Sequence, residues 1–169
     1  MANPTMTLIS SNTVGSGGVA SVTFSSIPAT YTDLKLVMSS RNDGAATSRN
    51  VNYSFNGLST NQTSIALQGN GSAASSFTAT TLQAGDNPAA TATANTFSNT
   101  EIYIPNYTSA NYKSSSSDAI QEDNTTAAIS RLLANLWSST AAITSITFST
   151  NAGSFVQYST FYLYGISKS

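Results

Sequence analysis

Histidine and cysteine are both absent from this chain of 169 residues. Without histidine, Ser-His-Asp and Cys-His catalytic arrangements cannot be built. Without cysteine there are neither disulfides nor thiolate metal sites. Charge is scarce as well. Asp, Glu, Lys and Arg supply 8% of the sequence, far below the usual quarter, and the net charge is −1. The six basic residues, Lys35, Arg41, Arg49, Lys113, Arg131 and Lys168, are scattered, so the basic footprint that nucleic-acid binding needs is missing. No run approaches the roughly 18 apolar residues of a membrane helix. The opening MANPTMTLIS lacks a basic stretch followed by an apolar one, so no secretory leader is expected and synthesis in a cytosol is implied.

What remains is dominated by hydroxyls: Ser and Thr make up about a third of the chain, and Asn and Ala are abundant. Hydrophobic residues supply 40%, including seven Phe, eight Tyr and one Trp. That is enough for a chain of nearly neutral charge to fold, and the length suits one domain with a sizeable core. Thr fits a pleated surface, while Asn, Ser and Gly serve turns, so the composition points to β-structure. A charge-poor surface has weak electrostatic repulsion, which favours work inside an assembly. Five Asn-x-Ser/Thr sequons occur, the number expected by chance in so hydroxyl-rich a chain, and they carry no information about glycosylation.

Short strands separated by polar turns account for most of the pattern. Thr5 to Ile9 and Val19 to Phe24 are β-prone. Leu34, Leu36 and Met38 alternate with Lys35, Val37 and Ser39, and Val51, Tyr53 and Phe55 alternate with Asn50, Asn52 and Ser54. Asn56-Gly57 follows directly and reads as a two-residue hairpin turn. Leu58 to Asn95 shows few bulky residues, and one or two short strands with long loops are expected there. Thr96 to Pro105 restores the strand pattern. In Ala127–Trp137, Ile129, Leu132, Leu133 and Leu136 fit helical spacing, while the neighbours favour a strand, so both readings stand. LWSSTAAITSITFST, from Leu136 to Thr150, reads as a strand with Ala142, Thr144, Ile146 and Phe148 on one face and Ile143 on the other. FVQYSTFYLYGI is apolar on both faces, with Tyr158, Tyr162 and Tyr164 on one of them. These elements predict an all-β, antiparallel β-sandwich of one domain over 1–169, with 1–10 as an extended arm or an edge strand.

Reactive constellations are missing. A Ser-Lys pair would need Lys35, Lys113 or Lys168, and nothing marks one. Most of the seven carboxylates, Asp33, Asp43, Asp86, Glu101, Asp118, Glu122 and Asp123, sit in turn-like contexts. Of these contexts, RNDG (Arg41 to Gly44) and QEDN (Gln121 to Asn124) are the best calcium loops, but neither has EF-hand spacing and a plain turn is preferred. Catalytic residues, cofactors and metals are therefore not expected. Trp137 suits a core or subunit interface, with sugar stacking as the alternative. Tyr158, Tyr162 and Tyr164 divide between interface and core.

Five segments, TFSSIPATYTDLKLVMSSR, VNYSFNG, IYIPNYTSANYKSSSSD, LWSSTAAITSITFST and STFYLYGI, resemble in that order a family of small proteins of tailed bacteriophages, especially phages of cyanobacteria and other marine bacteria. The resemblance covers most of the chain except Leu58 to Asn95. It implies a jelly-roll-like sandwich on the virion surface: a non-enzymatic capsid decoration or cement subunit, homotrimeric, bound to the major capsid protein. The alternative it leaves is a fibre or adhesin module that binds host-surface carbohydrate. No catalytic or ligand residue is carried over. Neither nucleic acid nor membrane is an expected partner.

Overall fold

A computed structural model describes residues 5–124 and 128–167. Among these residues there is no helix, and twelve strands form two antiparallel sheets. They are β1 (Met6–Thr13), β2 (Ser21–Phe24), β3 (Asp33–Ser39), β4 (Ser48–Phe55), β5 (Gln62–Gly69) and β6 (Ala74–Ala79), followed by β7 (Leu82–Pro88), β8 (Asn99–Ile104), β9 (Lys113–Gln121), β10 (Ile129–Trp137), β11 (Ile146–Thr150) and β12 (Thr160–Ile166). The large sheet runs β1-β12-β3-β8-β9-β10-β5-β6, and the small sheet runs β2-β11-β4-β7. The protein is an all-β sandwich. Residues 6–13 form an edge strand paired with β12, while residues 1–4 lie outside the described residues.

The alternating patterns of β3, β4 and β12 translate directly into packing. Leu34, Leu36 and Met38 face Val51, Tyr53 and Phe55 across the sandwich, joined by Phe148, Phe155 and Phe161 in one core. Ring centroids step through it at 5.4 Å from Tyr53 to Phe55, 5.7 Å from Phe148 to Phe161 and 5.0 Å from Phe161 to Phe155. Each such ring stabilises the fold by about 1.5–3 kcal/mol through burial alone.

Several expectations change. Asn56-Gly57 does make the turn, with φ of 54° and 70° and Leu58 N–H donating to Phe55 C=O at 2.9 Å. The turn joins strands in different sheets, however, so β4 and β5 are not a hairpin. Leu58 to Asn95 holds three strands instead of one or two. Ile129–Trp137 is strand, which settles the two-way reading; residues 125–127 lie outside the described ones. The stretch LWSSTAAITSITFST is broken: it supplies the end of β10, a loop, and β11. The Asn56 side chain grips that loop, donating to Ala142 C=O at 2.8 Å and accepting from Thr144 N–H at 2.8 Å and Ser145 N–H at 3.1 Å.

The interior has a second, polar half, created by β7. This strand is the edge of the small sheet, and its free backbone groups meet side chains of the large sheet rather than another strand. Leu82 N–H donates to Gln62 Oε1 at 3.3 Å, and Gln83 N–H to Asn135 Oδ1 at 3.0 Å. Ser117 Oγ donates to Gln83 C=O at 3.3 Å. Buried backbone groups must find partners, and here β5, β9 and β10 provide them from polar residues pointing inward. Gly85, at φ 141°, lets β7 come this close, because a Cβ there would lie 2.2 Å from the Cβ of Ala119.

Candidate functional site

The two outer faces of the sandwich differ in chemistry. On the small sheet the outward positions are Ser21, Thr23, Asn50, Asn52, Ser54, Thr147 and Ser149, a layer of hydroxyls and amides. On the large sheet none of the described residues covers the outward side chains of β5, β10, β9 and β8. Leu132 is 58% exposed and Ile65 61% exposed, and Leu67, Ile120, Leu136 and Tyr103 are exposed beside them. The register makes them one patch: Leu132 pairs with Leu67 on one side and Asp118 on the other, Ala134 with Ile65, and Tyr103 with Ser116. Exposed apolar clusters of this kind mark association surfaces.

The patch is furrowed because β9 carries small residues outward. Ser114 and Ser116 lie low between Leu132 and Leu136 of β10 and Tyr103 of β8. Two adjoining depressions of about 380 and 220 Å³ share Asp118 and Leu132. Charges on this face are few and mostly matched. Lys35 Nζ lies 2.8 Å from Glu101 Oε2, and Asp33 accepts from Tyr103 Oη at 2.5 Å and from Asn106 N–H at 2.8 Å. The hydrogen bond to Asp33 holds the Tyr103 phenol above its ordinary range, with burial adding to it.

The residues singled out by sequence separate. Trp137 is 1% exposed, with its ring 5.5 Å from Phe55; it belongs to the core and cannot contact a sugar or a sister subunit. Tyr162 and Tyr164 point outward from β12 and stack at 6.5 Å, half-buried and separated from the apolar patch by β3. Tyr158 does not share their strand. It lies in the turn before β12, 69% exposed, at the end of the sandwich. Sequence reading missed the patch itself. Its trace was there: Leu132, Ala134 and Leu136 alternate with Arg131, Leu133, Asn135 and Trp137, and the set that carries the arginine and asparagine is the inward one.

The ionisable groups inside the protein are tied to structural partners. Arg131 bonds Asp86 at 2.5 Å and Gln68 Oε1 at 2.7 Å, with its guanidinium 5.0 Å from the Phe77 ring. Burial holds the Asp86 carboxyl above the usual carboxylate range, and Arg131 opposes that shift. Tyr53 Oη meets Ser115 Oγ at 2.7 Å, and burial pushes its phenol up. Lys113 donates to the carbonyls of Ser109 at 2.7 Å and Asn111 at 2.6 Å, and burial lowers its pKa. Lys168 lies outside the described residues.

In the RNDG loop, Asn42 Oδ1 accepts from Gly44 N–H at 3.0 Å and Asp43 Oδ1 from Ser154 N–H at 2.7 Å, so these oxygens shape the turn. In QEDN, Glu122 Oε1 accepts from Asn124 N–H at 2.7 Å and Gln121 Nε2 donates to Asp123 Oδ2 at 3.4 Å. Among the described residues no group of three or more acidic side chains is gathered as a metal site. No family model, no curated protein and no solved structure matches the chain.

Proposed function

We propose that the protein is a non-enzymatic structural subunit of a phage virion, a capsid decoration or cement protein that seats the outer face of its large sheet on the major capsid protein and associates as a homotrimer. The observation that carries this reading is the contrast between the two faces: hydroxyls and amides on the small sheet, and exposed Leu, Ile and Tyr in one furrowed patch on the large sheet. A broad apolar face with few charges confines the cost of stripping water from ions to a small number of groups, Asp118 beside Leu132 among them. The particle as its destination, and the jelly-roll kinship, rest on the sequence resemblance to phage proteins.

The test is co-sedimentation of purified protein with shells of the source phage that lack it. Wild type pellets with the shells, and Leu132→Glu loses at least about tenfold in affinity, because a central apolar anchor becomes a buried unpaired charge. Leu132 is exposed, so its circular dichroism and melting temperature stay near wild type. Undiminished binding by Leu132→Glu refutes the proposed face, and light scattering that finds only monomer at micromolar concentration refutes the trimer.

A further inference from the structure

Away from the sheet faces, one end of the sandwich carries a second depression, about 330 Å³, between the 94–97 segment and the turn at 156–158. Phe97 and Val156 are partly buried in its lining, the ring of Tyr158 stands beside them, and Asn95 and Gln157 bring exposed side-chain amides. Its volume falls within the range of small-molecule pockets, and an apolar lining with a few polar groups is their usual composition.

Two features set this depression apart from an ordinary surface hollow. Tyr158 adopts φ 73°, a left-handed conformation that bulky side chains avoid. It sits where the turn closed by Ser159 N–H donating to Val156 C=O (3.1 Å) would ordinarily use Gly or Asn. Its N–H donates to Val14 C=O at 3.0 Å, which holds the backbone here but which any non-proline residue, glycine included, would supply; the ring itself is largely exposed, so the choice of tyrosine gains no packing. A bulky side chain kept at a strained backbone position where it gains no packing is characteristic of ligand-contacting positions.

The second feature is rigidity, supplied to both walls by Arg41. Its Nη1 donates to Thr93 C=O at 2.7 Å and to Thr96 Oγ1 at 3.0 Å, and its Nη2 donates to the carbonyls of Ala89 at 2.8 Å and Ala92 at 3.0 Å. Its backbone C=O accepts from Val156 N–H at 3.0 Å, and its N–H donates to Ser159 Oγ at 3.2 Å. One residue thus fixes the spacing between the aromatic wall and the facing loop before any ligand arrives, which reduces the entropy cost of binding.

From these observations we infer that the depression is a binding subsite for a neutral pyranose sugar, stacked on Tyr158 and hydrogen-bonded by Gln157 and Asn95. A pyranose presents an apolar C–H face together with a rim of hydroxyls, which matches an aromatic wall beside amides that both donate and accept. A nucleotide would also stack through its base, but its phosphates need cationic partners, and the guanidinium of Arg41 is committed to loop oxygens. The site is separate from the docking face and does not depend on that reading.

Saturation-transfer NMR on the isolated protein tests the inference with methyl α-D-mannopyranoside, methyl β-D-galactopyranoside and N-acetyl-D-glucosamine at millimolar concentration. At least one probe receives saturation from wild type and from Tyr158→Phe, which keeps the ring. The signal falls at least about tenfold in Tyr158→Gly and is unchanged in Tyr112→Ala, an exposed tyrosine elsewhere. Glycine accepts the positive φ, so Tyr158→Gly raises the melting temperature by about 1–3 °C while binding is lost. Either of two results overturns the inference: no transfer from any probe, or transfer that survives Tyr158→Gly. A lower melting temperature for Tyr158→Gly does so too, since the tyrosine would then serve the fold.

Discussion

Arg131→Met cuts one of the polar ties between the two sheets and leaves the Asp86 carboxylate buried without its cation. The guanidinium bonds Asp86 of β7 and Gln68 of β5 and covers the ring of Phe77 in β6, so one side chain connects three strands. Asp86 and Arg131 are 4% and 8% exposed, well below the exposure at which ion pairs contribute little. Removing one partner of a buried pair costs about 3–5 kcal/mol, chiefly because the other charge stays desolvated. For a chain of this length that corresponds to a fall in melting temperature of about 6–20 °C. Urea denaturation followed by tryptophan fluorescence measures it well, because Trp137 is the single tryptophan and lies in the core.

The same variant has a defined pH signature. Burial raises the folded-state pKa of Asp86 above its unfolded value. The stabilisation linked to this group is therefore fully present below the unfolded pKa and is lost as pH rises through the folded one. Without Arg131 the folded value rises further. The gap between wild type and Arg131→Met should be small in acid and widen toward neutrality. Adding Asp86→Asn removes the charge, so the double variant recovers more than half of the loss at neutral pH. A penalty below about 1 kcal/mol, or a double variant no better than the single one, refutes the claim that this pair neutralises the polar half of the interior.

Two further substitutions probe how the segments are held. Gly85→Ala costs about 1–3 kcal/mol by denaturation, because its Cβ would overlap that of Ala119, and Ala119→Gly in the same chain restores part of it. Asn56→Ala removes the clamp on the 142–145 loop and a residue suited to φ 54°; it costs about 2–3 kcal/mol, visible as a lower urea midpoint with the slope unchanged.

Legibility in the sequence followed the identity of each strand's partner. Where a strand packs against apolar side chains, as β3 and β4 do, alternation is clear and the inward set is the apolar one. Where it packs against the backbone edge of β7, the inward set is polar. That is why KSSSSDAIQ, a nine-residue strand, shows no hydrophobic period: Lys113, Ser115 and Ser117 face inward because carbonyls, the Tyr53 hydroxyl and the β7 edge need partners there. The same reversal made Ile129–Trp137 fit two periods at once, with its leucines divided between core and surface. Trp137 could be placed only once β10 had a direction, and the exposed apolar patch only once the face bearing Arg131 and Asn135 was known to be buried. Tyr158 was visible as a residue, but its left-handed φ and the Arg41 scaffold depend on contacts across the chain.

The treatment of the sheet edges bears on how such a subunit could associate. An exposed edge strand offers unpaired N–H and C=O groups to any other chain. Here β1 carries a bulge between Leu8 and Ser10, β2 has four residues, and the free edge of β7 is bonded to side chains of the large sheet. Like β2, β6 presents an edge without a bulge, a charge or a proline, but with six residues it is the longer of the two. With three of four edges blunted, continuous sheet extension between copies is disfavoured at most of the perimeter. The large apolar area left exposed is a face, and faces join through side-chain packing, which depends on shape and can be matched to one partner. The proposed seating on a shell at fixed positions, without open-ended sheet extension between copies, would draw on this combination.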